Sequence, residues 1–112
     1  MRKLEFTRND TPSIGVELEL ALVDERTMAL SSSVQRVLDR VPAQFAGSIK
    51  PELMQCYLEI NSGVCATVAE AGQDLREKVE VVERITDDLN LRAQFAQVLI
   101  EVEGKGIVVV YD

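Results

Sequence analysis

Three glutamates pose the chemical question in this chain. Glu17 and Glu19 stand two apart in an alternating run from Ser13 to Asp24, and Glu59 stands in a second such run, Glu52 to Asn61. Alternate side chains of a strand share a face, and residues two apart lie about 6.5 Å from each other. Glu17 and Glu19 therefore share a face with the small residues Gly15 and Ala21, while Ile14, Val16, Leu18, Leu20 and Leu22 form an apolar stripe on the other. In the second run Gln55, Tyr57, Glu59 and Asn61 share the polar face, and Met54, Cys56, Leu58 and Ile60 the apolar one. Glu52 falls on the apolar parity, so it joins the acidic group only if the start of that strand bends it round. Carboxylates on neighbouring strands repel unless a cation or an arginine stands between them. Oxygen-only ligands of this kind suit hard divalent cations such as Mg²⁺, which also keep waters and take substrate phosphates. The alternative is a solvated face with Lys and Arg as counter-charges, and spacing alone favours it.

Composition narrows the chemistry. The 112 residues carry a net charge of −7 and no histidine, which removes the commonest general base and zinc ligand and every Ser-His or Cys-His arrangement. An acidic chain is a poor partner for nucleic acid or an anionic membrane surface, because both need clustered Lys and Arg. Cys56 and Cys65 form neither a zinc pattern nor a C-x-x-C motif, so free thiols in a cytoplasmic protein are expected. No stretch approaches the ~20 apolar residues of a membrane span, and the first residues lack a signal-peptide core. With 46% apolar but only 4% aromatic residues, the core must come from Val, Leu, Ile and Ala, in a single domain.

The elements that must position the glutamates follow in order. Residues 1–12 read as a polar lead-in. After the first strand and the turn Asp24-Glu25-Arg26-Thr27, serines 31–33 precede Val34, Val37, Leu38 and Val41 as a helix start that Pro42 closes. Residues 43–50 read as a connection, and Asn61-Ser62-Gly63 ends the second strand. Thr67-Val68-Ala69-Glu70 is a capping box opening the longest helix, to about Asn90, with Val68, Ala71, Leu75, Val79, Val82, Ile85 and Leu89 as its apolar stripe. Val98 to Glu103, Gly104-Lys105-Gly106 and Ile107 to Tyr111 read as a β-hairpin. Its last arm has no polar side, so both faces should be covered, and a second copy of the chain is the expected partner. The fold class expected is α+β, an antiparallel or mixed sheet with two helices on one face.

Two separated blocks carry a resemblance. Ile14-Gly15-Val16-Glu17-Leu18-Glu19 with Leu22-Val23-Asp24, and Lys50-Pro51-Glu52-Leu53-Met54-Gln55 through Leu58-Glu59-Ile60-Asn61-Ser62-Gly63-Val64-Cys65 into Thr67-Val68-Ala69-Glu70-Ala71 and Asp74-Leu75, resemble the glutamate–cysteine ligase type 2, or carboxylate–amine ligase, family. The resemblance covers roughly residues 12–90 and leaves the hairpin tail, 98–111, outside it. It implies part of a glutamine-synthetase-like catalytic sheet, on which a small-molecule acid and an amine are joined through an acyl-phosphate made from ATP. It also implies that Glu17, Glu19 and Glu59, with Glu52 as a fourth candidate, are ligands of Mg²⁺ or Mn²⁺ that neutralise and align the transferring phosphoryl group. Family members are much longer, and the His-Pro element expected after the long helix is missing from a chain without histidine. The expectation is therefore the N-terminal, metal-binding part of such an enzyme, with most of the active site lacking. A non-catalytic oligomerisation or regulatory module on the same scaffold is the alternative.

Overall fold

The computed structural model describes residues 13–102 and 106–110, with side chains described through Ile100. The lead-in over residues 1–12, the loop residues 103–105 and Tyr111 lie outside the described residues, as do the side chains of the hairpin's last arm. Five strands form one sheet, β1 (Ile14–Asp24), β2 (Ile49–Pro51), β3 (Tyr57–Asn61), β4 (Leu91–Val102) and β5 (Gly106–Val110), in the order β2-β3-β1-β4-β5. Every pairing is antiparallel. Two α-helices, α1 (Val34–Leu38) and α2 (Val68–Asp88), pack into the core beside the sheet, which makes the fold α+β.

The opening strand is the middle of this arrangement. Val16, Leu18, Leu20 and Leu22 of β1 are all buried, and they meet Leu58 and Ile60 of β3, Val34 and Val37 of α1, and Ala71, Leu75, Val82 and Ile85 of α2. A fully buried Leu or Ile contributes about 1.5–3 kcal/mol by removal from water. A one-residue slip of β1 would turn that whole set outward, so the core stripe fixes which face the glutamates occupy.

Helix α2 begins as its capping pattern dictates. Thr67 Oγ1 accepts from the Glu70 amide at 3.1 Å, while the Glu70 carboxylate reaches back to the amide of Ala66, one residue before the cap, at 2.9 Å. The helix ends where Asn90 takes a left-handed conformation (φ 59°), which turns the chain into β4. Val68 does not join the stripe; at the helix's first position it is exposed, and the stripe meets the sheet only from Ala71 onward.

Four other expectations need correction. The run Glu52–Asn61 is not one strand. Only Tyr57–Asn61 is extended, and residues 52–56 form the tight turn of a hairpin with β2, where the Tyr57 amide donates to the Met54 carbonyl at 3.1 Å. Leu53 and Met54 are consequently exposed, and residues 43–50 hold a 3₁₀ turn (Ala43–Phe45) and the start of β2 rather than a plain connection. Helix α1 is five residues long, and its N-cap Ser33 makes no side-chain bond to it; the hydroxyls of Ser31 and Ser33 bond each other instead. The hairpin's first arm is longer than expected, since β4 begins at Leu91. An extra residue in β4 hides this from an alternation count. Glu19 pairs with Gln97 but Leu20 pairs with Phe95, which leaves Ala96 as a β-bulge.

Candidate functional site

The face of the sheet opposite the core carries the acidic residues. Its cross-strand register builds a row over four strands, because Lys50 of β2 pairs with Glu59 of β3, Glu59 with Glu19 of β1, and Glu19 with Gln97 of β4. Directly opposed residues of antiparallel strands place their Cβ atoms about 5 Å apart. The neighbouring row is Asn61, Glu17 and Leu99. Together Glu17, Glu19, Glu52, Glu59, Gln97 and Leu99 line a pocket of about 200 Å³. All four candidate ligands from the sequence are thus brought to one place, each half-buried. Gly15 leaves the adjoining space open, with no atom within 4 Å of where a Cβ would stand.

Glu52 arrives by a route the alternation could not show. It sits in the β2–β3 turn, which folds it over the end of β3. There its carboxyl hydrogen-bonds that of Glu59, and this contact, burial, and repulsion by Glu59 and Glu19 hold its pKa above the ordinary value. A hydrogen bond to the neutral form, burial and nearby like charge each disfavour the ionised form of a carboxyl group. Asn61 adds an orphan, its Oδ1 being buried without a hydrogen-bond partner on the strand position opposite Glu17.

These features bear on whether a cation fits. The donors are all oxygens, and on the neighbouring row Asn61 Oδ1 is a buried acceptor without a partner. Among the described residues no group of three or more Cys, Asp or Glu side chains is close enough together to hold a metal ion as it stands. Oxygen donors are the kind that hard divalent cations take, with waters and further ligands completing the shell.

A second constellation positions the first. Lys78 of α2 is buried, and its Nζ donates to the Asn61 carbonyl at 2.9 Å and to Asp74 Oδ2 at 2.8 Å. The same Asp74 oxygen accepts from the Gly63 amide at 2.7 Å. Burial alone would raise the Asp74 pKa, but the hydrogen bonds from Lys78 and Gly63 outweigh it and hold the carboxyl below its usual range. The end of β3 is thereby tied to α2. It is tied to β1 as well, because the Ser62 amide donates to the Val16 carbonyl and the Val16 amide to Ser62 Oγ, at 2.8 and 2.9 Å. The apolar stripe read from the sequence leaves Lys78 out; its signal was the position between Leu75 and Val82, four residues after Asp74. Gln97 and Leu99 were missed as pocket walls because the bulge at Ala96 interrupts the alternation. Cys56 and Cys65 are free thiols, as expected. No helix among the described residues is long and apolar enough to cross a membrane.

The sequence matches a known family over most of its length. The family model for glutamate–cysteine ligase family 2 matches residues 13–96. A candidate glutamate–cysteine ligase 2-3 of Nocardioides sp. is 40% identical over 91 residues, covering 80% of this chain and 24% of that protein. A candidate glutamate–cysteine ligase 2 of Mycolicibacterium paratuberculosis is 38% identical over 85 residues, 76% of this chain and 22% of its own. A candidate glutamate–cysteine ligase 2-1 of Rubrobacter xylanophilus is 41% identical over 69 residues, 62% and 18% of the two chains. The chain spans about a quarter or less of the length of these relatives. The matched stretch contains both acidic strands, the turn that carries Glu52 and the whole of α2, and on that match the chain belongs to glutamate–cysteine ligase family 2.

Proposed function

We propose that this chain is the N-terminal, metal-binding part of an ATP-dependent carboxylate–amine ligase of the glutamate–cysteine type, catalytically incomplete by itself. The observation that carries the reading is the gathering of Glu17, Glu19 and Glu59 on adjoining strands with Glu52 folded over them, in one pocket. These residues would hold Mg²⁺ or Mn²⁺, which neutralises and aligns the phosphates of ATP when bound. The chain's own part is to supply carboxylate oxygens, three of the side chains from the sheet and that of Glu52 from the turn beside it. A small-molecule acid and an amine are the substrates on this reading, and the remaining contacts to them belong to the rest of the longer protein. Calorimetric titration with MnCl₂ and MgCl₂ tests it, with Glu17→Gln and Glu59→Gln each expected to weaken binding at least tenfold. Equal heats from the wild type and both variants would overturn it.

A second reading, an oligomerisation module on the ligase scaffold, draws support from the sheet's two edges. Strand β2 is a three-residue edge containing Pro51, a poor template for pairing, whereas the opposite edge is β5 with the sequence Gly-Ile-Val-Val-Val. Pairing of β5 with its copy in a second chain would close that edge. Sedimentation at tens of micromolar should show a dimer on this reading, and a sharp monomer boundary refutes it.

A further inference from the structure

We infer that Gln97 is a positioning residue of the acidic pocket, placed there by the β-bulge at Ala96 to hold the Glu19 carboxylate for an incoming cation. The inference rests on the metal-binding reading above and adds a residue that the family match, which ends at residue 96, does not reach.

The bulge decides the matter. Before it, Leu91, Ala93 and Phe95 pair with Asp24, Leu22 and Leu20. After it, Val98 and Ile100 pair with Leu18 and Val16 and pack against the core. A strand without the extra residue would carry its parity through, and Gln97 would lie on the α2 side of the sheet, the face that Phe95 shares with Leu18 and Val98. With Ala96 inserted, the parity switches and Gln97 comes to lie opposite Glu19 and lines the pocket. Bulges commonly re-aim a side chain in this way next to functional sites. The residue type also fits. A third acid in a row that already holds Glu19 and Glu59 would add repulsion, and a lysine would compete with the cation. A neutral amide donates an N–H to a carboxylate while leaving its charge for the metal, as the outer partners of metal ligands do.

The test uses the full chain, titrated with MnCl₂ by calorimetry and melted without metal. Gln97→Ala is expected to weaken Mn²⁺ binding by about 10- to 100-fold, the range typical for lost ligand-orienting partners, with its metal-free melting temperature unchanged. Gln97→Glu, which removes the N–H donor at constant size, is expected to lose at least as much. If Glu19→Gln weakens binding and Gln97→Ala does not, this inference falls while the metal reading stands. If Glu19→Gln binds Mn²⁺ like the wild type, the metal reading falls and takes this one with it. Tighter binding by Gln97→Glu, or a fall in melting temperature that matches the loss of affinity, also overturns it.

Discussion

If the acidic face is a cation site rather than a solvated surface, removing one charge should stabilise the metal-free protein and weaken the metal-bound one. Glu19→Gln is the sharpest case, because Glu19 is flanked by Glu59 directly across on β3 and by Glu17 two residues away. Two opposed carboxylates about 6 Å apart, on a half-exposed face with an effective dielectric of roughly 50, repel by about 1 kcal/mol. Lys50 opposite Glu59 offsets part of this, so the variant should gain about 0.5–1 kcal/mol, or roughly 3–6 °C in melting temperature for a domain of this size. Mn²⁺ reverses the order. At 100 times its dissociation constant it adds about 2.7 kcal/mol to the wild type, and a variant binding tenfold more weakly gains only about 1.4 kcal/mol. Thermal melts of both proteins with and without MnCl₂ should therefore cross. A Glu19→Gln variant that melts below the wild type without metal refutes the reasoning, because it would mean that Glu19 makes a stabilising contact rather than a tolerated repulsion.

Three further outcomes follow. Glu52 has its folded pKa raised above 4.5, so the folded state binds its proton more tightly than the unfolded one, and stability falls as pH rises from that value through the raised pKa; Glu52→Gln should flatten this limb in urea titrations between pH 4.5 and 7. Asp74 has the opposite sign, since its depressed pKa contributes stability above 3.8 that disappears as pH falls through the folded value, and Asp74→Ala should lose that acid limb. The same variant leaves the buried Lys78 ammonium with one protein partner, a cost of about 2 kcal/mol after allowance for the partial exposure of Asp74, and a double-mutant cycle with Lys78→Met that proved additive would show the latch is not coupled. Leu58→Ala, at a fully buried β3 position, should cost about 2–5 kcal/mol in urea unfolding, and a cost below 1 kcal/mol would contradict the core assignment.

The parts of the fold readable from sequence were those where one period runs without interruption. β1 alternates over its whole length, so its core stripe and its acidic face were both visible. Helix α2 carries a 3.6-residue stripe with a Thr67 cap at its head, and its boundaries were recovered closely. Failures came where the chain breaks its own period. Glu52 to Asn61 alternates well enough to pass for a single strand, yet Pro51 ends β2 and the turn at residues 52–56 reverses the chain, a tertiary choice that alternation does not encode. In β4 a single extra residue, Ala96, shifts the parity halfway along, so Phe95 and Gln97 could not be read as members of one strand with opposite orientations. That Glu17, Glu19 and Glu59 share one face was legible for a similar reason. Glu17, Glu19 and Glu59 lie on strands whose core faces are unambiguous, and their own side follows by exclusion.

The site and the core are separable in this architecture. Val16, Leu18, Leu20 and Leu22 of β1 belong to the core and Glu17 and Glu19 between them to the acidic face, and β3 repeats the division with Leu58 and Ile60 set against Glu59 and Asn61. A substitution at Glu17, Glu19 or Glu59 therefore changes charge without opening a cavity, while one at Leu20 or Leu58 opens a cavity without touching the pocket. Position 96 is the exception, because it couples the two. Deleting Ala96 would restore a regular ladder and at the same time swap the faces of either Leu91–Phe95 or Gln97–Val102, sending Gln97 toward the core or Phe95 toward the carboxylates. A polar amide buried without partners costs about 1–3 kcal/mol, and the apolar contacts of Val98 and Ile100 would be forfeited with it. The bulge is thus the one local irregularity on which both the packing of β4 and the composition of the pocket depend.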